Sequence, residues 1–374
     1  MTTAPAAPTT VNERPRARRG PMLATLLIAW FVAQFDFFVV NVAAPSLSEN
    51  LDVTPAALEL VVGGYAFTYA AGMITGGRLG DRYGHRRLFI YGMAAFTLAS
   101  VLCGLATSPL QLIVFRLLQG LTGAMMVPQV LAVITASFPA AQRPRALSWY
   151  ALTGGLASIA GQVLGGLLVD ANLFGLEWRT IFLINLPIGL ITVPLAVKLL
   201  PRHTPGARVG LDPVGAAGMT LTLGLVLVPL GLGNSQHWPP WTWLSLAAAA
   251  VSAAFTMYWQ RRLHRSGGQP VLELALFTVR SYAAGMAAGA AFMIYWAGLM
   301  FTLALLLQSG YDFTAFQAGL CFLPLGVMFS AAALAGGRLV RRFGLRVPLA
   351  GSLIILIGLV VAITAMWTSD DTPN

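Results

Sequence analysis

The sequence is poor in charged residues. Asp, Glu, Lys and Arg make up 10% of its 374 residues, against about a quarter in soluble domains. Hydrophobic residues account for 57%, so too little polar surface remains to cover a water-soluble fold. The chain is predicted to be an all-α polytopic membrane protein, because apolar stretches of about 20 residues can each cross a hydrocarbon core as a helix.

Residues used for catalysis and metal binding are equally scarce. Both cysteines, Cys103 and Cys321, lie in apolar runs, where free cysteines behave as small buried hydrophobes. The histidines lie in four different polar connections without metal-ligand spacing: His85, His203, His237 and His264. No G-x-x-x-x-G-K-[ST] loop and no Ser/His/Asp constellation occurs. We therefore expect no enzyme, no metal site, no cofactor and no use of ATP.

Eleven apolar segments are candidate membrane spans. A Pro/Ala/Thr-rich arm over residues 1–21 precedes them, ends in RPRARRG and is predicted to be disordered. The first apolar run is too long for a signal-peptide core and is interpreted as a retained anchor. The candidate spans cover residues 22–44, 55–76, 88–107, 110–136, 146–169, 180–199, 213–233, 241–259, 281–308, 313–335 and 347–367.

Positive charge is concentrated on one side of the predicted membrane. If the amino terminus is cytoplasmic and the spans alternate, all but two of the 23 Lys and Arg residues fall in inner segments. The exceptions are Arg116, inside the fourth span, and Arg179, at the outer end of the sixth. The positive-inside rule explains this pattern, so the net charge of +10 indicates topology and not nucleic-acid binding. We expect a multi-pass protein of the cell (plasma or inner) membrane, with the tail at 369–374 outside.

One charged phrase occurs twice. GGRLGDRYGHRRL at residues 76–88 returns as GGRLVRRFGLRV at 336–347, in both cases on the inner side between two spans. Any short cytoplasmic loop needs glycine and arginine, but that need does not explain the shared order. Repetition in one orientation favours two parallel halves with a substrate path between them.

The first copy has the pattern G-x-L-a-D-R-x-G-r-k and resembles the signature loop of the major facilitator superfamily. The residues that match are Gly77, Leu79, Asp81, Arg82, Gly84 and Arg86. Further motifs follow in the order of the fourteen-helix drug:proton antiporter branch of that superfamily. They are FDFFVVNVAAPSL (Asp36, Asn41, Ala43, Pro45), RLLQGLTGA (Arg116, Gln119, Gly120, Gly123), GQVLGG (Gly161, Gln162, Gly165, Gly166), WRTIFLINLPIG and LQSGYDFTAFQAGLCFLP.

The resemblance implies a fold and a function. It implies a complete six-helix half over residues 22–200, a two-helix insertion over 201–265 and an incomplete second half over 266–368. Since fourteen helices are expected and the chain stops after eleven spans, we expect either a truncated gene or a fragment of a longer chain. The implied function is proton-coupled efflux (antiport) of lipophilic or cationic small molecules by alternating access. The expected partners are the lipid bilayer, the substrate and protons.

Three residues are the main candidates for coupling. Asp36 is the one carboxylate well inside a span, and such residues are costly to bury and usually serve ions or substrate. It is predicted to bind the coupling proton or a cationic substrate, with a satisfied structural hydrogen bond as the alternative. Arg116 is buried and always charged. The resemblance implies that Arg116 and Gln119 take part in proton coupling, while tying the fourth helix to backbone carbonyls is the structural alternative for Arg116.

Two further sets are candidates by resemblance. By resemblance, the loop residues Gly77, Asp81, Arg82, Gly84 and Arg86 would form a gate latch, whose acid contacts a helix start in the second half. That partner helix would be among the three that are absent, which would leave the latch without a helix to close on. In the second copy Arg341 replaces the aspartate, so only the first copy can act in this way.

The fifth span carries the other set, Gly161, Gln162, Gly165 and Gly166. Gly154, Ser158, Gly161 and Gly165 lie on one helical face, where small residues let helices approach closely. Gln162 stands where the antiporter motif has proline, which weakens the argument for exchange over symport.

Two alternatives remain open at the level of sequence. The chain could export a metabolite, a peptide or a siderophore, because one fold hosts many functions. It could also be a truncated remnant that does not transport.

Overall fold

The computed structural model describes residues 19–51, 53–202, 212–233 and 236–370, and within these ranges all regular secondary structure is helical. The helices are α1 (Arg19–Leu51), α2 (Pro55–Tyr83), α3 (His85–Gly104), α4 (Pro109–Ser137), α5 (Arg143–Asp170), α6 (Thr180–Leu183), α7 (Asn185–Leu199), α8 (Pro213–Leu232), α9 (Pro240–Arg265), α10 (Arg280–Leu305), α11 (Ala315–Leu320), α12 (Leu323–Phe343) and α13 (Arg346–Asp370). Helical structure thus occupies every predicted span. The predicted arm, except Arg19 to Pro21, lies outside the described residues, as do His203, Arg208 and the last four residues of the tail.

The number of helices suited to crossing a membrane differs from the predicted eleven. Among the described residues, nine helical segments are long and apolar enough to cross. Pro240–Arg265 is not one of them, because tryptophan, threonine, serine and tyrosine lower its mean hydropathy. Of the final helix, the part that enters this count is Arg346–Val361, an apolar helical segment. The sixth predicted span consists of two helices that meet at Ile184, and the tenth is interrupted between α11 and α12.

Proline and a polar cap define where several of these helices begin. Thr54 and Ser108 each accept a hydrogen bond from the backbone N–H three residues later, at 3.3 and 3.4 Å. A proline follows each cap at the first helical position. Proline is favoured there because its missing N–H would have no helical partner. These local signals place the starts of α2 and α4, which carry the signature loop and Arg116.

Glycines bring the helices of the first half into close contact. On α2, a Cβ atom at Gly76 would overlap the carbonyl oxygen of Ala124 on α4. On α4, a Cβ atom at Gly120 would overlap the carbonyl oxygen of Tyr65 on α2. Small residues at such crossings let backbones approach, which is how membrane helices gain packing energy without a hydrophobic driving force.

Helices α10 to α12 pack against the first half. Trp296 and Met300 of α10, together with Phe322, form an apolar cluster with Phe38 of α1 and Ile159 of α5. Helix α5 therefore lies between α1 on one side and α11 and α12 on the other. Helix α13 contacts mainly α12, and its described side chains are largely exposed, as expected for a surface that faces lipid.

The inserted hairpin is closed by a hydrogen-bond knot around Asp212. Helices α8 and α9 pack on each other, and α8 also packs on α2. Asp212 is 5% exposed and accepts hydrogen bonds from four groups. The donors are Gly215 N (2.8 Å), Trp259 Nε1 (2.9 Å), Gln260 Nε2 (2.7 Å) and Val271 N (3.4 Å). This knot joins the start of α8, the end of α9 and the linker to α10.

We expect Asp212→Asn to destabilise this knot at neutral pH. Burial alone would raise the pKa of Asp212, but the hydrogen bonds that it accepts outweigh burial and lower the pKa. A carboxylate with a lowered pKa stabilises the fold above its unfolded pKa of about 3.9, and that contribution is lost as the pH falls through the folded value. The expected loss at pH 7 is about 1–3 kcal/mol, and it should shrink below about pH 4. Thermal unfolding of the purified protein at both pH values measures this loss.

Glu273→Gln is the matched control for this prediction. Its side chain is 43% exposed and contacts only His264, at 3.4 Å, and exposed pairs contribute little. Equal melting temperatures for Asp212→Asn and Glu273→Gln at pH 7 would contradict the stabilising role of the knot.

Candidate functional site

Asp36 and Arg116 form a buried ion pair inside the first half. Asp36 lies in the middle of α1, Arg116 lies on α4, and neither side chain is exposed. Arg116 Nη1 lies 2.5 Å from Asp36 Oδ2. A charge-assisted bond in a medium of low dielectric constant is strong, and each partner compensates the other's desolvation. The two candidates that the sequence named separately thus belong to one site.

The remaining contacts of the Arg116 guanidinium hold α4 against α2. Its Nε donates to the carbonyl oxygen of Val61 at 3.2 Å, and Nη1 also donates to Gln119 Oε1 at 2.7 Å. The guanidinium carbon lies 4.3 Å from the centre of the Tyr65 ring, a cation–π contact. Tyr65 Oη in turn donates to the carbonyl oxygen of Ala33 on α1 at 2.9 Å. The contacts of Arg116 are compatible with both predicted roles. It bonds a backbone carbonyl, as the structural role requires, and it bonds the Asp36 carboxylate, as a role in coupling requires.

Two polar residues from other helices complete the site. Asn185 Nδ2, at the start of α7, donates to Asp36 Oδ1 at 2.8 Å and to Ser100 Oγ at 3.2 Å. Ser100 Oγ also accepts from Gln119 Nε2 at 2.7 Å. All five side chains are buried, and we call them the buried polar cluster: Asp36, Ser100, Arg116, Gln119 and Asn185. The cluster joins α1, α3, α4 and α7.

The cluster can respond to a single proton. The ion pair carries no net charge while Asp36 is ionised, and it carries one positive charge when Asp36 is protonated. Protonation would also weaken the charge-assisted bonds from Arg116 and Asn185, because a neutral carboxyl is a poorer acceptor. A proton on Asp36 would therefore change how firmly α1 is held to α4 and α7.

The signature phrase is almost entirely helical, contrary to the expected loop over residues 76–88. Helix α2 continues to Tyr83 and α3 begins at His85, so Gly84 alone forms the turn. Its φ is +96°, a value that favours glycine, and its N–H donates to Gly80 O at 2.8 Å. In the second copy Gly344 has φ +58° and donates to Val340 O at 2.8 Å. The repeated sequence thus produces the same helix-ending hydrogen bond in both places.

Asp81 contacts His85, a histidine that the sequence places in a polar connection without metal-ligand spacing. His85 Nε2 lies 3.4 Å from Asp81 Oδ1, and Nδ1 donates to Gln129 Oε1 of α4 at 2.8 Å. Gln129 Nε2 donates to the carbonyl oxygen of Gly76 at 2.8 Å. A Cβ atom at Gly80 would overlap Gln129 Oε1. In this structure Asp81 therefore belongs to a contact between α2, α3 and α4, and the expected contact with a helix start in the second half is not seen among the described residues.

Two arginines of the phrase, Arg78 and Arg86, donate to backbone carbonyl oxygens of other segments. Arg86 Nη2 donates to Val197 O of α7 at 2.5 Å. Arg78 donates to the carbonyl oxygens of Gln269 and Pro270 in the linker before α10. Arg82 lies over the ring of Tyr83 at 5.5 Å, while Gly77 faces Pro128 of α4. The phrase thus ties α2 and α3 to α7 and to the chain that leads into the second half.

The glycines of GQVLGG lie on two faces of α5. A Cβ atom at Gly161 would lie 3.0 Å from Phe35 O, and one at Gly165 would lie 2.6 Å from Val39 Cγ2, both on α1. On the other face, a Cβ atom at Gly166 would overlap the backbone of Ala315 on α11. The motif therefore serves the contact within the first half and the contact between the halves.

Gln162 lies in the same interface. Its side chain is fully buried, and neither Oε1 nor Nε2 has a hydrogen-bond partner among the described residues. Its carbonyl oxygen would lie 2.6 Å from a Cβ atom at Gly319 of α11. The proline of the antiporter motif is thus replaced here by a buried polar side chain close to the second half.

Gly166→Ala is expected to separate α5 from α11. The overlapping atoms belong to the backbone, so α11 has to move as a unit, and overpacking of this kind costs about 1–3 kcal/mol. Asp170 Oδ2 accepts from Phe316 N at 3.0 Å at this end, so that bond should lengthen too. Distances between spin labels at positions 173 and 313, measured in a Cys321→Ser background, should increase and broaden. Gly285→Ala is the control because no atom lies within 4 Å of that Cβ, and equal distances in the two variants would contradict the close contact.

Comparison with known proteins decides the family. Residues 26–373 match the model of the Major Facilitator Superfamily, which is nearly the whole chain. The chain belongs to the major facilitator superfamily.

The relatives of this major facilitator chain include antibiotic exporters. A probable actinorhodin transporter of Streptomyces coelicolor is 38% identical over 94% of this chain and 61% of its own length. The cephamycin export protein CmcT of Amycolatopsis lactamdurans is 35% identical over 79% of this chain and 60% of its own length. The chain thus spans about three-fifths of the length of these curated relatives. The family is one of membrane transporters and not of enzymes, as the sequence indicated.

Solved structures show the same fold. The proton:xylose symporter XylE matches 87% of this facilitator chain and 70% of its own chain with a TM-score of 0.55, at 15% identity. At that identity the likeness concerns the fold alone. It confirms the prediction of an all-α major facilitator fold.

Sequence reasoning found Asp36, Arg116 and Gln119 of this facilitator but missed Ser100, Asn185, Tyr65 and His85. Asn185 lies in the quoted segment WRTIFLINLPIG, and an amide well inside an apolar span was a signal that could have been used. Ser100 gave no such signal, since a serine hydroxyl often donates to a carbonyl oxygen of its own helix. Ser100 Oγ also makes such a bond, to Phe96 O at 2.9 Å. Cys103 is buried beside Gln119, but Cys321 is exposed and not buried as expected, because it lies at the break between α11 and α12.

Proposed function

We propose that this protein is a secondary transporter that couples proton movement to the export of lipophilic small molecules by alternating access. The observation that carries the proposal is the ion pair between Asp36 and Arg116, fully buried and joined to Asn185. An ionisable residue at membrane depth is costly, and here it lies where one proton changes the contacts among four helices. The relatives named as export proteins support the direction of transport.

The coupling would act through α1. Asp36 lies on α1, which packs through Phe35 and Val39 against Gly161 and Gly165 of α5. The opposite face of α5 packs against α11 through Gly166. Protonation of Asp36 would loosen α1 from Arg116 and Asn185, and α5 would pass that change to its contact with the second half. A ligand or proton shifts such an equilibrium only by its differential affinity for the two states.

The two ends of this interface differ in how closely α5 packs against the second half. At the end predicted to face outward, Asp170 and Gly166 of α5 contact Phe316 and Ala315. At the end predicted to be cytoplasmic, a cavity of about 890 Å³ separates the first turns of α5 from the last turns of α12. Opening toward the cytoplasm is the state in which an exporter loads its substrate. The contacts of Gly161, Gly165 and Gly166 are all present beside Gln162.

Purified full-length protein in liposomes tests the proposal. Two dyes with the same xanthene core and opposite charge, rhodamine 6G and sulforhodamine B, serve as lipophilic probes. An imposed pH gradient should drive uphill movement of at least one dye, with proton flow in the opposite direction reported by trapped pyranine. An uncoupler should abolish both movements. Dye movement that runs only downhill and ignores the pH gradient would refute proton coupling.

A further inference from the structure

Two neighbouring cavities at the predicted cytoplasmic end share a strongly basic lining. The larger one, of about 890 Å³, lies between α5 and α12 and includes Arg145, Arg338 and Arg341. The smaller one, of about 380 Å³, lies between the starts of α1 and α5 and includes Arg19. Arg145 and Trp149 line both cavities. We call the two together the basic vestibule.

The positive charge of the vestibule is not compensated nearby. No aspartate or glutamate lines either cavity. Within the described ranges, no carboxylate lies within 4.0 Å of the guanidinium nitrogens of Arg145, Arg338 or Arg341. Clefts lined by one sign of charge raise the local concentration of ligands of the opposite sign. The vestibule therefore attracts anions and repels cations.

The acidic residue at membrane depth does not offset this preference. Asp36 is fully buried, and both of its carboxylate oxygens are engaged, one by Arg116 and one by Asn185. It lines neither cavity. A cationic substrate would thus meet four arginines on entering and would find the Asp36 carboxylate already paired.

The vestibule also offers an aromatic surface and adequate size. Trp149 is 44% exposed and faces both cavities, with Ser148 beside it in the larger one. Ligand pockets typically measure about 300–1,000 Å³ and combine apolar surface with a few placed polar groups. An aromatic ring can stack on Trp149 while its acidic substituent meets Arg145, Arg338 or Arg341.

We propose that the basic vestibule is the loading site of the transporter and selects aromatic organic anions. The proposal rests on the proposed function for the direction of transport, but selection by charge is a property of binding alone. It replaces the cationic class expected from the family resemblance. The acid of the substrate pairs with the arginines of α5 and α12, so one ligand contacts both halves.

Membrane topology also requires inner arginines, and the chain offers a control for that role. Arg342 follows Arg341 on the same helix, but it lies over the Phe343 ring at 5.2 Å and lines neither cavity. Arg342→Gln changes the inner charge by the same amount as Arg341→Gln. A purely topological role predicts equal effects for the two variants, whereas the loading site predicts an effect for Arg341 alone.

Equilibrium binding to the full chain in nanodiscs of phosphatidylcholine tests the proposal. Fluorescence anisotropy compares sulforhodamine B, an anion, with rhodamine 6G, a cation of the same core. We expect the anion to bind at least about tenfold more tightly, and Arg341→Gln to weaken its binding about fivefold, as for one exposed charge pair at the upper end of the usual range. The Arg342→Gln variant should match the wild type, and added salt should weaken anion binding.

Several results would overturn the proposal. Tighter binding of the cation, or equal affinities of the two Arg variants for sulforhodamine B, would do so. Full displacement of the dye by inorganic phosphate, or its loss on adding phosphatidylglycerol to the nanodiscs, would assign the arginines to phosphate groups or lipid headgroups instead. Because no gradient is present, these outcomes are independent of whether proton-driven transport occurs.

Discussion

Replacing Asp36 with asparagine is expected to stop proton-driven accumulation of substrate while leaving exchange of substrate across the membrane. Asparagine keeps one oxygen for Arg116, which bonds one carboxylate oxygen at 2.5 Å, and it loses the other oxygen, which accepts from Asn185 at 2.8 Å. Its amide cannot bind and release a proton in the working pH range. Coupling free energies of about 1–3 kcal/mol correspond to changes of about 5–150-fold. We therefore expect the accumulation ratio at a fixed pH gradient to fall toward one. Uphill uptake and dye counterflow in the same liposomes measure the two activities.

Asp312→Asn is the matched control for the Asp36 variant. Asp312 is exposed and has φ +54°, a conformation that asparagine also tolerates, so this change removes one carboxylate without straining the chain. It should leave uphill transport intact. If Asp36→Asn retained the wild-type accumulation ratio, Asp36 would not be the coupling residue.

Replacing Arg116 with alanine is expected to cause the largest loss of stability. The change leaves the Asp36 carboxylate fully buried without its ion-pair partner, and breaking a buried pair on one side costs about 3–5 kcal/mol. It also removes the bond to Val61 O at 3.2 Å and the contact with the Tyr65 ring. At about 2–4 °C per kcal/mol, the melting temperature should fall by roughly 10 °C. Thermal unfolding in detergent gives the value.

A double variant separates charge compensation from packing. Asp36→Asn/Arg116→Gln removes both charges and keeps side chains that can hydrogen-bond, so it should be more stable than Arg116→Gln alone. Coupled neighbours show interaction energies of about 0.5–3 kcal/mol in such cycles. Arg179→Ala is the comparison outside the cluster: Arg179 packs over Trp178 at 4.5 Å and donates to Ala106 O at 3.3 Å. An additive double variant, or an equal loss for Arg179→Ala, would show that the pair is not coupled.

The two predictions probe different properties of one site. The Asp36 experiment measures whether proton binding drives accumulation of substrate. The Arg116 experiment measures how much the ion pair contributes to stability. The same geometry explains both. Arg116 compensates the negative charge of buried Asp36, and protonation of Asp36 would weaken the bond between the two side chains.

Fold class and span positions were largely predictable from the sequence. Hydrocarbon thickness sets the length of a spanning helix, and proline with Thr54 or Ser108 marks helix starts. The loop around Gly84 was predicted poorly, because arginines suggested a polar connection while the helices continue to Tyr83 and from His85. The distribution of Lys and Arg indicates which side of the membrane a segment faces, but it does not indicate where the helix ends.

By itself, the sequence determined the membrane class, the helical segments, the family motifs and the candidates Asp36, Arg116 and Gln119. Only the tertiary structure decided that Asp36 and Arg116, 80 residues apart, share a bond, and that Asn185 and Ser100 complete the site. Helical periodicity fixes the face on which a side chain lies but not which helix it meets. That choice depends on close approaches such as Gly120 on Tyr65 and Gly161 on Phe35, where the shapes of two surfaces must match.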